Sequence, residues 1–412
     1  MAGLAALAIA YVLSQFYRSF LAVLTPSLVA ELGATKVQLS MASGAWFIAF
    51  ALAQFVVGVC LDRYGPKRTA SVLLALGGGG GALLFAWATQ PWMITAAMAL
   101  IGLGCAPVLM AAVFIFAHTY SPARLAILTS WLIGFGSAGN VIGASPLAAA
   151  ADAFGWRPVM LGLALLTFAT AVGIFSFVRD PERQDDDGGT GFDGYLELFR
   201  LRAIWVLVPL IALNYAATAG IRGLWAGPYL ADVYGADALV IGQVTLFMAL
   251  AMVVGSFLYG PLDMLFGTRK WVAVAGNTIS VAVLVWIALD PVTSIFAATI
   301  VFVLIGVTGG SYGLLMAHGR AFLPARLTGR GVTLLNFYSI GGVGLMQFAT
   351  GGVVTTAAVP GEPAAAYAAL FWFYAVMLAV SIVIYLAARD ARPERTATVA
   401  GDISAEARRP TR

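Results

Sequence analysis

The chain has 412 residues, of which 61% are hydrophobic and only 10% are charged, and its formal net charge is +4. This composition excludes an ordinary soluble protein, in which about a quarter of the residues are charged. The two cysteines, Cys60 and Cys105, both fall within apolar segments, so a disulfide framework is not indicated. No pattern typical of nucleic-acid recognition is present, and we expect the positive charge to reflect membrane topology.

Twelve apolar segments, each of roughly 20 residues, predict twelve transmembrane helices. They cover residues 4–30, 39–61, 69–88, 92–117, 125–150, 158–178, 204–231, 238–260, 271–289, 292–317, 331–357 and 367–388. If both chain termini lie in the cytoplasm, all but four of the 23 basic residues fall in cytoplasmic loops or in the C-terminal tail. This asymmetry follows the positive-inside rule, so we expect a multi-pass protein of a bacterial inner membrane.

The second half of the chain repeats parts of the first half. Pro26 recurs as Pro228, and the segment 122–125 recurs as 324–327, in both cases about 200 residues later. Two related bundles that rock around a shared central site are typical of alternating-access transporters. The predicted organisation is an N-terminal six-helix bundle, a cytoplasmic connector, a C-terminal six-helix bundle and a disordered cytoplasmic tail, over residues 1–178, 179–203, 204–388 and 389–412 respectively.

The loop after the second apolar segment reads GVCLDRYGPKR from Gly58 to Arg68. It resembles the signature loop of the major facilitator superfamily, G-x-x-x-D-[RK]-x-G-x-[RK]. A second copy, with one extra residue, contains Asp263 and Gly267. The resemblance implies a secondary active transporter. It also implies an all-α membrane protein whose twelve transmembrane helices form two pseudo-symmetric six-helix bundles.

The resemblance assigns a gating role to these loops. The Asp62 carboxylate would lie against the positive N-terminal end of a helix from the other half and would hold the cytoplasmic side closed in one state. The gating residues expected on this basis are Asp62, Arg63, Gly65, Lys67, Asp263 and Arg269. The alternative is that the basic residues of the loops are only topology anchors.

Two positions depart from superfamily motifs that are tied to proton-coupled export. Met98 stands in the fourth segment where such a motif often carries an arginine. Asn140 stands in the fifth segment where the antiporter motif carries a proline. Both departures weigh against a drug exporter and favour uptake or exchange.

Two arginines carry charge near the middle of predicted helices, Arg18 in the first segment and Arg222 in the seventh. An intramembrane charge costs about 2.5–3.5 kcal/mol at a helix centre and therefore marks a candidate functional site. In the superfamily these two helices line the central cavity. The pattern resembles the organic-anion and anion:cation symporter branches, which implies an anionic substrate. Guanidinium groups bind a carboxylate or a phosphate bidentately.

Polar side chains close to these arginines complete the candidate site. The predicted substrate-binding residues are Arg18, Arg222, Gln15, Tyr11, Tyr215, Asn140, Asn336 and Trp225. Arg18 lies eight residues before its proline and Arg222 lies six before its own, so a break at Gly223 or Gly227 would be needed to bring them into repeat register. With no carboxylate and no histidine expected in the membrane interior, coupling to H⁺, coupling to Na⁺ and anion exchange all stay open.

Two other substrate classes remain as alternatives. Met248 and Met252 lie one turn apart in the eighth segment, a spacing used in a copper-importing branch of the superfamily, and thioethers suit Cu(I). The His-x3-Met pair of that branch is missing, since His118 and His318 lie at the cytoplasmic ends of the fourth and tenth segments. A related branch imports a riboflavin-like vitamin, which aromatic residues would contact.

A third alternative is a membrane assembly or sensor protein that does not transport. An enzyme is not expected, because the sequence holds no nucleophile–base pair and no Walker-type Gly-Lys-Ser/Thr loop. We expect a monomer without a cofactor, whose partners are a small anionic molecule, a coupling ion or counter-anion, and the lipid bilayer.

Overall fold

The computed structural model describes residues 2–181, 197–292, 294–324 and 327–391, and its regular structure is helical throughout these ranges. The helices are α1 (Ala2–Tyr17), α2 (Leu21–Leu32), α3 (Lys36–Tyr64), α4 (Pro66–Ala86), α5 (Pro91–Thr119), α6 (Pro122–Ile142), α7 (Ser145–Phe154), α8 (Trp156–Phe177), α9 (Arg202–Tyr234), α10 (Ala238–Phe266), α11 (Arg269–Leu289), α12 (Ile295–Arg320), α13 (Thr328–Thr356) and α14 (Pro363–Tyr385). Most of the predicted connector and tail, residues 182–196 and 392–412, lies outside the described residues.

Within the described ranges, ten helices are long and apolar enough to cross a membrane. Two further pairs pass the same test together, α1 with α2 and the part of α6 from Ile127 with α7, and their members meet at angles of 53° and 41°. The number of candidate spans is therefore ten, or twelve if each bent pair is one span. The prediction of an all-helical membrane fold is confirmed, while the twelve-span count and the orientation stay predictions.

The sequence repeat is visible in the way α2 and α9 end. Both helices end at a glycine in the left-handed conformation, Gly33 with φ 62° and Gly235 with φ 65°. The amides of each glycine and of the next residue donate to carbonyls of the last turn, over 3.1 and 3.4 Å in α2 and over 2.9 and 3.1 Å in α9. A side chain is disfavoured at such a helix end, which explains why both halves carry glycine there.

The first helices of the two halves are irregular where the two arginines lie. A turn at residues 18–20 separates α1 from α2 and contains Arg18. Helix α9 stays continuous but widens into a π-helix over Ile221–Trp225, which contains Arg222 and Gly223. A short π-helical stretch changes the register without ending the helix and is frequent at functional sites. The register of the two halves therefore differs at this depth.

The two halves approach each other closely through α2 with α9 and through α3 with α13. A Cβ atom on Gly227 in α9 would overlap the carbonyl oxygen of Ala22 in α2. A Cβ atom on Gly351 in α13 would likewise overlap the hydroxyl of Ser40 in α3. Small residues let helix backbones touch where lipid supplies no hydrophobic drive for association. These contacts bring polar residues of both halves together.

The structure corrects the expectation that no carboxylate and no histidine is buried, because Asp263 near the end of α10 is only 8% exposed. His318 in α12 is fully buried, and its ring nitrogens contact the Tyr385 hydroxyl at 2.5 Å and the Arg389 carbonyl oxygen at 3.0 Å. The prediction that no histidine is buried was therefore wrong. The reason is that the end of α14 packs over the end of α12, a contact that a single apolar segment does not reveal. His118, by contrast, is exposed, and its Nδ1 atom contacts the Phe114 carbonyl oxygen at 2.8 Å.

Candidate substrate site

Arg18 lies at the break between α1 and α2, where its guanidinium contacts residues of both halves. Its Nη1 atom donates to the hydroxyl of Tyr215 in α9 at 3.1 Å. Its central carbon lies 5.3 Å from the ring centroids of both Trp46 and Phe50 in α3. Two aromatic faces stabilise a cation through their negative quadrupoles. The Nε atom is buried and has no hydrogen-bond partner among the described residues.

Arg222 occupies the π-helical stretch of α9 and is 2% exposed. Its Nη2 atom donates to the amide oxygen of Asn140 in α6 at 2.9 Å, so this contact also crosses between the halves. The same amide oxygen accepts a longer bond, 3.4 Å, from the Ser19 hydroxyl. As in Arg18, the Nε atom is buried without a partner in the described part of the chain. Asn140 therefore links the neighbourhoods of the two arginines.

A line of polar side chains continues from Tyr215 into both halves. The rings of Tyr215 and Tyr312 lie 5.1 Å apart, and the Tyr312 hydroxyl donates to the Asn336 amide oxygen at 2.9 Å. Asn336 in turn donates to the amide oxygen of Gln54 in α3 at 3.2 Å. The line starts next to Arg18 and offers hydroxyl and amide groups over several helices. It can hydrogen-bond a ligand that carries hydroxyl groups as well as a charge.

Sequence reasoning missed two members of this line, Tyr312 and Gln54. A signal was available for Gln54, which follows Trp46 and Phe50 at successive intervals of four and therefore lies on the same face of α3. Tyr312 carried no comparable signal, since a tyrosine in an apolar helix is compatible with simple packing.

Tyr11 and Gln15 precede Arg18 along α1 and form a second polar pair. The Gln15 amide donates to the Tyr11 hydroxyl at 2.9 Å, and both side chains are buried. A Cβ atom on Gly136 in α6 would overlap the Tyr11 ring, so this glycine makes the room that the ring occupies. The structure thus brings Tyr11 and Gln15 to the same stretch of α1 as Arg18.

Trp225 is engaged within the C-terminal half. Its indole nitrogen donates to the Thr350 hydroxyl in α13 at 3.0 Å, and the residue is 1% exposed. Met248 is fully buried against Gly306 of α12. Within the described residues, no group of three or more His, Cys, Asp or Glu side chains is placed to hold a metal. Trp225 and Met248 are thus both engaged in packing with neighbouring helices.

In the N-terminal half, the loop expected to act as a gate joins α3 to α4 through Gly65, whose φ is 83°. The carboxylate that holds the N-terminus of α4 belongs to Asp180, whose Oδ1 atom accepts a hydrogen bond from the Lys67 amide at 2.7 Å. Asp62 lies exposed near the end of α3, within electrostatic reach of His118 in α5 and of Arg330 in α13. Arg330 belongs to the other half.

In the C-terminal half, Asp263 forms an ion pair with Arg269, in which Oδ2 and Nε are 3.2 Å apart. The N-terminus of α11 is held by Asp390, whose Oδ1 atom accepts from the Lys270 amide at 2.9 Å. Asp180 and Asp390 each follow the last helix of their own half and make the same kind of contact. The sequence analysis did not identify either aspartate. Their shared position, just after the last apolar segment of each half, was a signal that could have identified them.

Comparisons with known proteins agree with this architecture. A sequence model of the Major Facilitator Superfamily matches residues 7–343 of the chain. The sialic acid transporter NanX of Escherichia coli K12 is 25% identical over 328 residues, which cover 77% of this chain and 78% of the relative. A probable L-galactonate transporter of the same organism is 25% identical over 293 residues, which cover 60% of this chain and 59% of the relative.

Solved structures show the same fold. A bacterial homologue of the human lysosomal transporter Spinster, in an inward-facing and occupied conformation, has a TM-score of 0.74 at 18% identity and covers 93% of this chain and 96% of its own. A D-xylose–proton symporter has a TM-score of 0.74 at 12% identity and covers 95% and 97%. Identities at this level establish the fold and say nothing about the substrate.

The family match extends over most of the chain, and the apolar helices and the repeated signature loop agree with it. The predictions of a multi-pass transporter of a bacterial inner membrane, and of a protein that is not an enzyme, are confirmed. The chain belongs to the major facilitator superfamily.

Proposed function

We propose that the chain takes up a small organic acid, whose carboxylate binds between Arg18 and Arg222 at the interface of the two halves. The observation that carries this proposal is the set of partners of the two guanidinium groups. Arg18 donates to a tyrosine hydroxyl and Arg222 to an asparagine amide oxygen, both neutral groups from the opposite half. Each Nε atom is buried without a partner among the described residues. A bound anion would satisfy these donors and balance the charge.

Electrostatics supports an anion over a neutral ligand of the same shape. A buried charge without a counter-charge costs several kcal/mol even after relaxation. The aromatic rings beside Arg18 offset part of this cost. Arg222 is buried more deeply, and its hydrogen-bond partner is a neutral amide. The site therefore gains most when a carboxylate lies within reach of both guanidinium groups.

The polar line beside Arg18 narrows the proposal to a hydroxylated acid. Tyr312, Asn336 and Gln54 offer hydroxyl and amide groups that a bare phosphate or a short carboxylate would leave unused. The relatives named for sialic acid and for L-galactonate are named for hydroxylated carboxylic acids, which agrees with this reasoning. We therefore place the carboxylate at the arginines and the hydroxyl groups along the polar line.

The hydrogen bonds of the two arginines to the opposite half would couple substrate binding to alternating access. The bonds from Arg18 to Tyr215 and from Arg222 to Asn140 join the two halves. A carboxylate that takes over the guanidinium groups releases both bonds and replaces them with its own. A ligand shifts a conformational equilibrium by its difference in affinity for the two states. In this mechanism the chain has twelve spans with cytoplasmic termini, and the loop around Asp62 closes the cytoplasmic side.

Uptake into proteoliposomes tests the proposal with four solutes: sialic acid, L-galactonate, a sugar phosphate and a neutral sugar. Each is offered with a pH gradient, with a Na⁺ gradient or with anion loaded inside, which separates proton symport, sodium symport and exchange. We expect the acids to be taken up, and Arg18→Gln or Arg222→Gln to abolish uptake. Arg157→Gln is the matched control, because Arg157 pairs with Glu31 within one half. Normal uptake by both site variants, or equal uptake of the neutral sugar, would contradict the proposal.

A further inference from the structure

A groove of about 350 Å³ runs along the outer face of the N-terminal half, away from the candidate substrate site. It lies between α3, α4 and α5 and is lined almost entirely by apolar atoms, among them those of Val56, Val72 and Leu103. These three side chains are 63%, 50% and 38% exposed, so the groove opens toward the surroundings of the helices. In a membrane-spanning bundle those surroundings are lipid acyl chains.

The basic end of this groove is formed by Arg68, next to the loop between α3 and α4. Its side chain is exposed and has no ion pair or hydrogen bond with any residue that the structure describes. The neighbouring cations are placed differently: Arg63 lies over the Tyr64 ring at 5.6 Å and Lys67 over the Phe175 ring at 4.8 Å. Arg68 is thus the cation of this loop that lines the groove.

The internal repeat supplies a comparison for Arg68. Its counterpart in the second half is Lys270, about 200 residues later. The Lys270 ammonium donates to the Leu386 carbonyl oxygen at 2.6 Å, so this cation serves the packing of α11 against the end of α14. No such internal bond is made by Arg68 in the described structure. One half therefore uses the position for packing, while the other leaves a guanidinium at the mouth of an apolar groove.

We infer that this groove is a binding site for an anionic phospholipid, with one acyl chain along α3 and α4 and the headgroup phosphate on Arg68. A guanidinium binds phosphate oxygens bidentately. Long basic side chains at the end of a membrane span extend to the headgroup level while their stems cover apolar surface. Basic pockets between helices on the cytoplasmic side are suited to anionic headgroups. This inference is independent of the proposed substrate, because the groove and the arginine pair share no residue.

The probe is phosphatidylglycerol, compared with phosphatidylcholine, added to the purified full-length protein in detergent. Native mass spectrometry counts bound lipids, and the melting temperature reports stabilisation. We expect phosphatidylglycerol to bind more tightly and to raise the melting temperature more. One basic residue near an anionic lipid surface contributes about 1 kcal/mol, so Arg68→Gln should weaken phosphatidylglycerol binding about fivefold.

Two further variants keep the test decisive. Val72→Trp fills the groove from an exposed position and should reduce binding of both lipids while Arg68 stays in place. Arg124→Gln removes an exposed cation at the start of α6, outside the groove, and should leave the preference for phosphatidylglycerol unchanged. Equal losses in Arg68→Gln and Arg124→Gln would show a diffuse charge effect and overturn the site. So would an unchanged lipid preference in Arg68→Gln.

Discussion

Arg18 and Arg222 differ in how deeply they are buried, and this difference suggests distinct roles for them in the proposed binding of an anion. Arg18 keeps part of its surface accessible, whereas Arg222 is 2% exposed and is fixed by Asn140. Under the proposed function, Arg18 would meet the entering anion and Arg222 would hold it in one orientation. A planar fork of donors gives that orientation, and a lysine ammonium does not.

Arg222→Lys should therefore raise the apparent KM for the transported acid by about ten- to a hundredfold, because a hydrogen bond to a charged group contributes about 1.5–3 kcal/mol. Uptake assays at matched membrane abundance measure this. The double variant Met248→Leu with Met252→Leu is the control and should be nearly silent, since leucine has a similar apolar volume. Loss of uptake in the methionine variant, with Arg222→Lys unaffected, would favour a thioether-bound metal.

The sequence is enough to predict which polar residues lie within apolar segments. It does not predict the hydrogen-bond partners of these residues. Arg18 and Arg222 stand out because charge is rare in apolar segments. Their bonds to Tyr215 and Asn140 depend on how two halves meet, and no spacing within one segment encodes that. The burial of His318 was missed for the same reason, because its partners come from another helix.

At the scale of helices, close contact between α2 and α9 depends on the absence of a side chain at Gly227. Gly227→Ala would push a methyl group into the Ala22 carbonyl, so the two helices must separate. Overpacking of this kind typically costs about 1–3 kcal/mol, and we expect a lower melting temperature and slower uptake. Gly260→Ala in α10 is the control, because its Cβ atom would meet nothing within 4 Å. Equal melting temperatures for the two variants would show that α2 and α9 can separate without cost.

The cap of α11 makes the stability of the C-terminal half depend on pH. Burial alone would raise the pKa of Asp390, but hydrogen bonds from the Thr268 hydroxyl and the Lys270 amide hold that pKa below its usual value. A carboxylate with a lowered pKa stabilises the folded state above its unfolded value of about 3.9, and this contribution is lost as the pH falls through the lower folded value.

Asp390→Asn should therefore lower the melting temperature at neutral pH and converge with the unchanged protein below about pH 4. Melting curves between pH 3 and 7 measure this, with Asp152→Asn as a control for an exposed carboxylate that makes no cap. If the melting temperatures of Asp390→Asn and of the unchanged protein differed by the same amount from pH 3 to pH 7, the Asp390 cap would not titrate in this range.

At the scale of the whole molecule, the repeat and the apolar segments are enough to predict two helical bundles, because membrane burial leaves few other arrangements for the backbone. They do not predict which side of the molecule is closed. In the structure, the halves meet where α3 contacts α13, where α2 contacts α9 and where α7 contacts α10, the last through Gly242 against Ser145 and Ala148. The contacts of α2 with α9 and of α7 with α10 lie on the side opposite to the signature loops, which the predicted topology places outside.

An ion pair reinforces this closed side. The Lys36 ammonium at the start of α3 lies 2.5 Å from Oδ2 of Asp232 near the end of α9, so it joins the two halves. The Tyr367 hydroxyl of α14 donates to the same oxygen at 2.5 Å, and its ring centroid lies 5.0 Å from the ammonium. The two charged side chains are about one-third exposed, and such pairs contribute about 0.2–1 kcal/mol.

Asp232→Asn should therefore shift the protein toward a state that is open on this side, by up to about fivefold in population. The readout is the labelling rate of Thr25→Cys by an impermeant maleimide, in a background without Cys60 and Cys105, because Thr25 is 3% exposed in the closed arrangement. Glu31→Gln is the matched control, since it breaks the ion pair with Arg157 on the same side but within one half. Faster labelling in Asp232→Asn alone would assign the closure to the contact between halves. If Asp232→Asn, Glu31→Gln and the protein with both residues unchanged were all labelled at the same rate, helix packing at α2 and α9 would hold this side closed without the ion pair.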